Sequence, residues 1–261
     1  MLRFLTCGQW TPQQLAIHWI PSSRRALPEV ETNIDSAWNT AMARPGVHLF
    51  DGPMCRLESW TASSDQLELT LSQTSYKLFV GTNMANPQFA DRFGTDVMAN
   101  PLGVSPALLT ADHQLLLGQR TSAVAYHPNR VHPFAGCMEP GDDDPFATVY
   151  RELHEELSIN QSEITDLHCI GLVEGNDLRQ PEIIFAATTR LKKSEIESRV
   201  DPTEHHSIWA IPSTAEAIES AVTNDKNLTP VAVAALLLWG RINIGQARFE
   251  AIARQVAPPT K

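Results

Sequence analysis

Polar and apolar residues alternate over 15–20 and 67–71, the period-two pattern of strands with one covered face. Over 29–43, by contrast, Ile34, Ala37, Trp38, Ala41 and Met42 recur at helical spacing, and Arg44-Pro45-Gly46 breaks the run. Gly52 and Pro53 interrupt two β-rich runs, and 76–80 predicts a short helix or turn ending at Gly81-Thr82-Asn83. Further on, 107–110 and 114–120 flank an Ala111-Asp112-His113 turn and predict a hairpin. Strands are expected at 167–174, 182–188 and 207–211, and two helices at 214–222 and about 230–242, the second strongly apolar. This order predicts an α/β fold: a mixed sheet between helices over 100–257, a smaller α/β unit over 1–99 before it, and a 258–261 tail.

The best-marked helix begins at Asp144, which suits an N-cap, with Pro145 in the first turn and Asp142 and Asp143 complementing the positive end of the dipole. Phe146, Val149, Tyr150, Leu153 and Leu157 form one apolar stripe that should pack onto a sheet. At about 100° per residue, Glu152, Glu155 and Glu156 gather on an arc beside it. Like charges that close repel, so the cluster calls for a cation, and all-oxygen ligation suits Mg²⁺ or Mn²⁺. Arg151 can reach Glu155 one turn on, or fold back toward the loop aspartates. A solvated acidic face is the plain alternative; the glycine-bearing loop that leads in from Gly136 tells against it.

Composition narrows the partners. A chain of 261 residues, 43% hydrophobic, can bury a sizeable core in one large domain or two smaller ones. A formal net charge of -10 argues against an electrostatic nucleic-acid binder and against attraction to an anionic membrane. Cys7, Cys55, Cys137 and Cys169 lack C-x-x-C spacing and read as reduced thiols of a cytoplasmic protein. The longest apolar run, 231–239, is about half a bilayer span, so no membrane insertion is expected. The adjacent side chains of His205 and His206 diverge on most backbones and do not suggest zinc. His127 and His132, each beside a proline, read as part of an exposed loop from which Arg120, Arg130 or His132 could contact a phosphate.

The loop-helix-loop from Gly136 to Ile159 resembles the signature of the Nudix hydrolases, Gly-x5-Glu-x7-Arg-Glu-U-x-Glu-Glu-x-Gly-U with U aliphatic, a family that cleaves nucleoside diphosphates linked to another group. Gly136, Arg151, Glu152, Leu153, Glu155, Glu156 and Ile159 match. Asp142 stands for the first glutamate, the spacer to Arg151 is one residue longer, and Ser158 replaces the closing glycine, leaving Asn160 as the residue expected to supply a left-handed turn. Segments 48–56, 74–83 and 100–104 are similar to the UDP-glucose diphosphatase branch of that family, in which a further part precedes the Nudix domain.

The resemblance implies a Nudix-type α/β/α sandwich that uses Mg²⁺ to hydrolyse a small nucleotide sugar, UDP-glucose or UDP-galactose, to UMP and sugar 1-phosphate. Glu152, Glu155 and Glu156 would hold the metal, Glu139 could join them, and Arg151 would fix the helix against the loop. A base must take a proton from water, and Glu156, Glu182 and Glu204 are the candidates. Gly136 falls in the substrate-binding set with Tyr76, Thr82 and Asn83, the last three expected near the nucleotide, stacking on uracil or bonding its edge or the ribose. The alternative for Tyr76 is a hydrophobic turn shared with Phe79. Two rival readings are a Nudix hydrolase of another nucleotide (ADP-ribose, a dinucleotide or a modified nucleoside triphosphate) and a catalytically silent nucleotide-binding module.

Overall fold

The computed structural model describes residues 2–44 and 49–256. Pro45 and Gly46 of the predicted break, His48 of the first resembling segment, and the 258–261 tail lie outside them. The chain opens with β1 (Leu2–Trp10), β2 (Leu15–Trp19), α1 (Pro28–Met42), β3 (Pro53–Ala62) and β4 (Leu67–Ser75). Two short helices follow, α2 (Tyr76–Phe79) and α3 (Phe89–Phe93). Next come β5 (Gly103–Leu109), β6 (Gln114–Arg120), β7 (Val131–His132), β8 (Gly136–Cys137) and α4 (Pro145–Leu157). The remainder is β9 (Ile164–Gly175), β10 (Pro181–Thr189), α5 (Lys193–Glu197), β11 (His205–Pro212), α6 (Ala215–Asn224), α7 (Pro230–Asn243) and α8 (Gln246–Val256).

An eight-stranded mixed sheet runs β1-β9-β10-β5-β6-β11, with β7 pairing β6 and β8 pairing β5. Among the described residues the central β10–β5 pair is parallel and the other strand pairs in this sheet are antiparallel. The predicted stripe of α4 lies on one face, where Phe146, Val149, Leu153 and Leu157 pack with Leu102, Val104 and Phe185. The same cluster takes in Leu67, Leu69 and Leu71 of β4, the middle strand of a three-stranded sheet ordered β2-β4-β3. The opposite face is covered by α6, α7 and α8 through Ile218, Ala234, Leu238 and Phe249. Helices on both faces of a mixed sheet give the expected α/β/α sandwich, with hydrophobic burial supplying most of its cohesion.

Two features depart from the expected organisation. The first strand, β1, lies in the large sheet, pairing with β9 from Leu2↔Gly175 to Trp10↔Cys169, so part of the segment assigned to the N-terminal unit completes the core. A third helix, α8, follows α7 where two closing helices were expected. Its mixed composition gives a short apolar face, buried through Phe249 and Ile252, that sequence periodicity reveals only faintly.

Candidate active site

Asp142 ties the loop before α4 to the helix. Its Oδ2 accepts from Glu139 N at 3.0 Å and from Thr148 Oγ1 at 2.9 Å, and its two oxygens accept from Arg151 at 3.2 Å. Burial pushes this carboxyl up, but those bonds outweigh it and hold the group below its ordinary range. Asp144 accepts from Ala147 N at 2.8 Å, the N-cap bond expected of it. Arg151 makes both of its expected contacts at once, donating from Nη1 to Glu152 Oε1 at 2.8 Å and Glu155 Oε2 at 3.2 Å while also bonding Asp142. The extra spacer residue is thus accommodated with loop and helix still clasped.

At the other end of α4 the serine itself turns the chain. Ser158 has φ 51° and ψ 34°, the left-handed conformation, whereas Asn160 is extended at φ -77° and ψ 151°. Asn160 therefore does not take over the glycine's task. Ser158 N donates to His154 O at 2.9 Å and Ile159 N to Leu153 O at 3.1 Å, closing the helix's last carbonyls.

The three glutamates divide between two environments. Glu152 and Glu156 are 8% and 3% exposed, while Glu155 faces solvent beside Arg151. Glu152 sits directly over Gly136, where an added Cβ would fall 1.9 Å from Oε1, so the signature glycine clears the space for a carboxylate. Burial pushes the Glu152 carboxyl up to about 8, with Arg151 opposing and Glu156 and Glu155 adding to the rise. Glu156 is raised well above the ordinary range, by burial first and by Glu204 next.

Glu156 Oε2 lies 3.2 Å from His205 Nε2, and one ligand atom from each of Glu156, Glu204 and His205 falls within 4.8 Å of the others. His205 is fully buried, packs its ring edge-on to Phe134 at 4.9 Å, and rests on Gly118, where a Cβ would come within 2.0 Å of Nδ1. Burial, then Arg120, hold the imidazole down to about 4, so it is neutral near pH 7 and able to ligate a metal. His206 does diverge: it is exposed, with Nδ1 3.0 Å from Gln119 O. The sequence reading passed over His205 because its neighbours come from α4 and β6, far away in sequence. A glycine inside the apolar strand β6 is the one local sign of such a close approach.

Glu182 opens β10 on the same rim of the sheet. Registers Glu182↔Gly103, Gly103↔Cys137 and Val104↔Gly136 place it near the glycine under Glu152. It is 4% exposed and accepts from Ser105 Oγ at 2.6 Å. Burial pushes it up to about 7, with the Ser105 bond opposing. Buried carboxyls with raised pKa values beside a neutral imidazole fit a divalent cation, and the oxygen and nitrogen donors admit Mg²⁺ or Mn²⁺. Glu139 is exposed, and its backbone serves the Asp142 clasp.

The three N-terminal candidates separate. Tyr76 lines a cavity of about 610 Å³ between α1 and residues 122–125, whose walls include Ala37, Val80, Met84 and Ala123. Thr82 and Asn83 are fully buried and spend their polar atoms on the chain itself. Thr82 Oγ1 donates to Leu78 O and accepts from Ala99 N; Asn83 Nδ2 donates to Leu178 O and Arg179 O, and its Oδ1 accepts from Asn100 N. Their side-chain polar atoms are thus bonded within the chain. His132, expected in an exposed loop, is instead buried on β7 with Nδ1 2.9 Å from Thr229 Oγ1, and Arg130 bonds Asn227 O and Leu228 O. All four cysteines are free thiols.

A loop-helix-loop that buries carboxylates against one rim of a mixed sheet is matched by a family model. Residues 100–231, half of the chain, match the NUDIX domain, and the chain belongs to the Nudix family. More particularly, it is similar to the uridine diphosphate glucose pyrophosphatase NUDT22 of Mus musculus, 36% identical over 154 residues that cover 54% of this chain and 49% of that protein. The Homo sapiens protein of that name is 35% identical over 164 residues, covering 55% and 54%. The chain spans about half the length of these curated relatives. Among solved structures, a mutT/nudix family protein from Listeria innocua is 18% identical, covers 60% of this chain and 96% of its own, and has a TM-score of 0.41, too low to carry an argument.

Proposed function

We propose that the chain hydrolyses the diphosphate of a nucleotide sugar, UDP-glucose or UDP-galactose, to UMP and sugar 1-phosphate, with Mg²⁺ or Mn²⁺ as cofactor. The observation that carries this reading is the pair of buried carboxyls on α4, Glu152 and Glu156, with Glu204 and His205 in ligand range of the second. Glu156, Glu204 and His205 would hold the cation with Glu152 adjoining and Glu155 at the rim; when bound, it supplies charge neutralisation at phosphate and a more acidic water.

The chain's own residues do the rest. Arg151 fixes Glu152 and Glu155 relative to the loop, and Gly136 leaves Glu152 room to approach it. Water oxygen bonds to one phosphorus, the bridging P–O bond breaks, and the departing phosphate carries the second product away. Glu182 takes the water's proton. A carboxyl near 7 is matched to that task at neutral pH, whereas Glu156 and Glu204 are engaged in the ligand set. Tyr76, on the wall of the cavity beside α1, would stack on the uracil. The names of the curated relatives support the uridine assignment.

The test is a panel of UDP-glucose, UDP-galactose, ADP-ribose, GDP-mannose, diadenosine polyphosphates and nucleoside triphosphates, each with Mg²⁺ and with products identified by mass. UMP and sugar 1-phosphate from the UDP-sugars alone are expected. Turnover confined to other members of the panel would overturn the uridine assignment, and binding without turnover would leave a silent module.

A further inference from the structure

Two arginines are buried among the described residues, Arg56 and Arg120, each 3% exposed, and they are provided for differently. Arg56 Nε is ion-paired with Glu58 Oε1 at 3.0 Å, though not aligned for a hydrogen bond, and its Nη1 donates to Met98 O at 2.7 Å. Arg120, the last residue of β6, forms no ion pair among the described residues. Its Nε and Nη1 are shielded from water with no hydrogen-bond partner. What positions it is an aromatic face: Cζ stands 4.8 Å from the ring centroid of Tyr126, which itself packs edge-on to Phe79 at 6.2 Å and to His132 at 6.1 Å.

A guanidinium keeps its charge at any accessible pH, and the Tyr126 face and nearby carboxylates offset its burial only in part, because neither gives Nε or Nη1 a hydrogen bond. Such a group is explained by a ligand that supplies the missing acceptors. Arg120 also bears electrostatically on Glu156 of α4, Glu182 of β10 and His205 of β11, the residues around the reaction centre, so the unsatisfied charge lies in that same space. A cation held by Glu156, Glu204 and His205 would leave those arginine donors still without acceptors. An anion rich in oxygen acceptors would satisfy it, and planar guanidinium matches phosphate best.

We propose that Arg120 is a substrate-binding residue whose unpaired donors take an oxygen-bearing anion, one phosphate of the diphosphate, beside the carboxylate cluster. This rests on the diphosphate reading of the site. The probe that tests it is inorganic pyrophosphate with Mg²⁺, titrated calorimetrically into the full chain. Arg120→Met is expected to weaken pyrophosphate about tenfold or more, the loss of one charge-assisted contact, while its melting temperature stays level or rises because an unpaired buried charge has gone.

Unchanged affinity, or weaker binding accompanied by a lower melting temperature, overturns the proposal and assigns Arg120 to the fold. Should Arg120→Met not fold, Arg120→Lys decides alone: weakened pyrophosphate with wild-type melting supports the proposal, and wild-type affinity sinks it. Because the readout is binding of pyrophosphate, this inference can fail while UDP-glucose turnover stands. It can also stand if UDP-glucose proves not to be the substrate.

Discussion

At the scale of single residues, the site is made by side chains pressed onto glycines. Gly136→Ala would put a methyl group 1.9 Å from Glu152 Oε1, where only displacement of the carboxylate or the loop relieves the clash. We expect a cost of about 1–3 kcal/mol in a denaturation series, from overpacking, together with a fall in kcat. Glu182 sets the pH behaviour. Its folded value of about 7 lies above the ordinary 4.5, so the folded chain holds the proton more tightly than the unfolded one. Stability of the metal-free chain should therefore fall as pH rises from about 4.5 to about 7, and level off above that for this group. Glu182→Gln should make that slope shallower in thermal melts, remove the rise of kcat/KM toward pH 7, and lower the rate by about 10²–10⁴. The glutamates, Arg151 and Gly136 were legible in the sequence because they sit in one short stretch with fixed spacing. His205 was not, since its closeness to Glu156 arises only when β11 pairs β6.

At the scale of elements, α4 carries the argument. Its start was legible to the residue, because Asp144 and Pro145 are local signals that need no tertiary context. Its end was misread: the αL position was assigned to Asn160 on intrinsic preference, but the chain must turn directly after Leu157 to bury Ile159, and Ser158 is what stands there. A serine held at φ 51° bears a penalty that glycine does not. Ser158→Gly should raise stability by about 0.5–1 kcal/mol in chemical denaturation with activity unchanged, since Ser158 is exposed. The strands and helices flanking α4 were equally readable from periodicity. The exceptions are β1, which is irregular and shifts register twice against β9, the short β7, β8, α3 and α5, too brief to show a period, and α8.

At the scale of the whole molecule, the N-terminal segment is integral to the Nudix core through β1 and through Asn83, which bridges to Leu178 and Arg179. Asn83→Leu leaves two carbonyls and the Asn100 N–H without that partner, so a loss of about 2–4 kcal/mol is expected in denaturation, with KM unchanged in the protein that remains folded. A raised KM at unaltered stability would return Asn83 to the nucleotide. Composition gave the partner class at this scale only by exclusion, and no helix among the described residues is long and apolar enough to cross a membrane. The measurement that bears most directly on the central claim is hydrolysis of UDP-glucose by wild type and Glu156→Gln, each with Mg²⁺ and with chelator. The account expects UMP and glucose 1-phosphate from wild type with Mg²⁺ alone, and a loss of at least about 10²-fold in the variant at an unchanged fold by circular dichroism. Wild-type turnover in Glu156→Gln, or turnover indifferent to chelator, would contradict it.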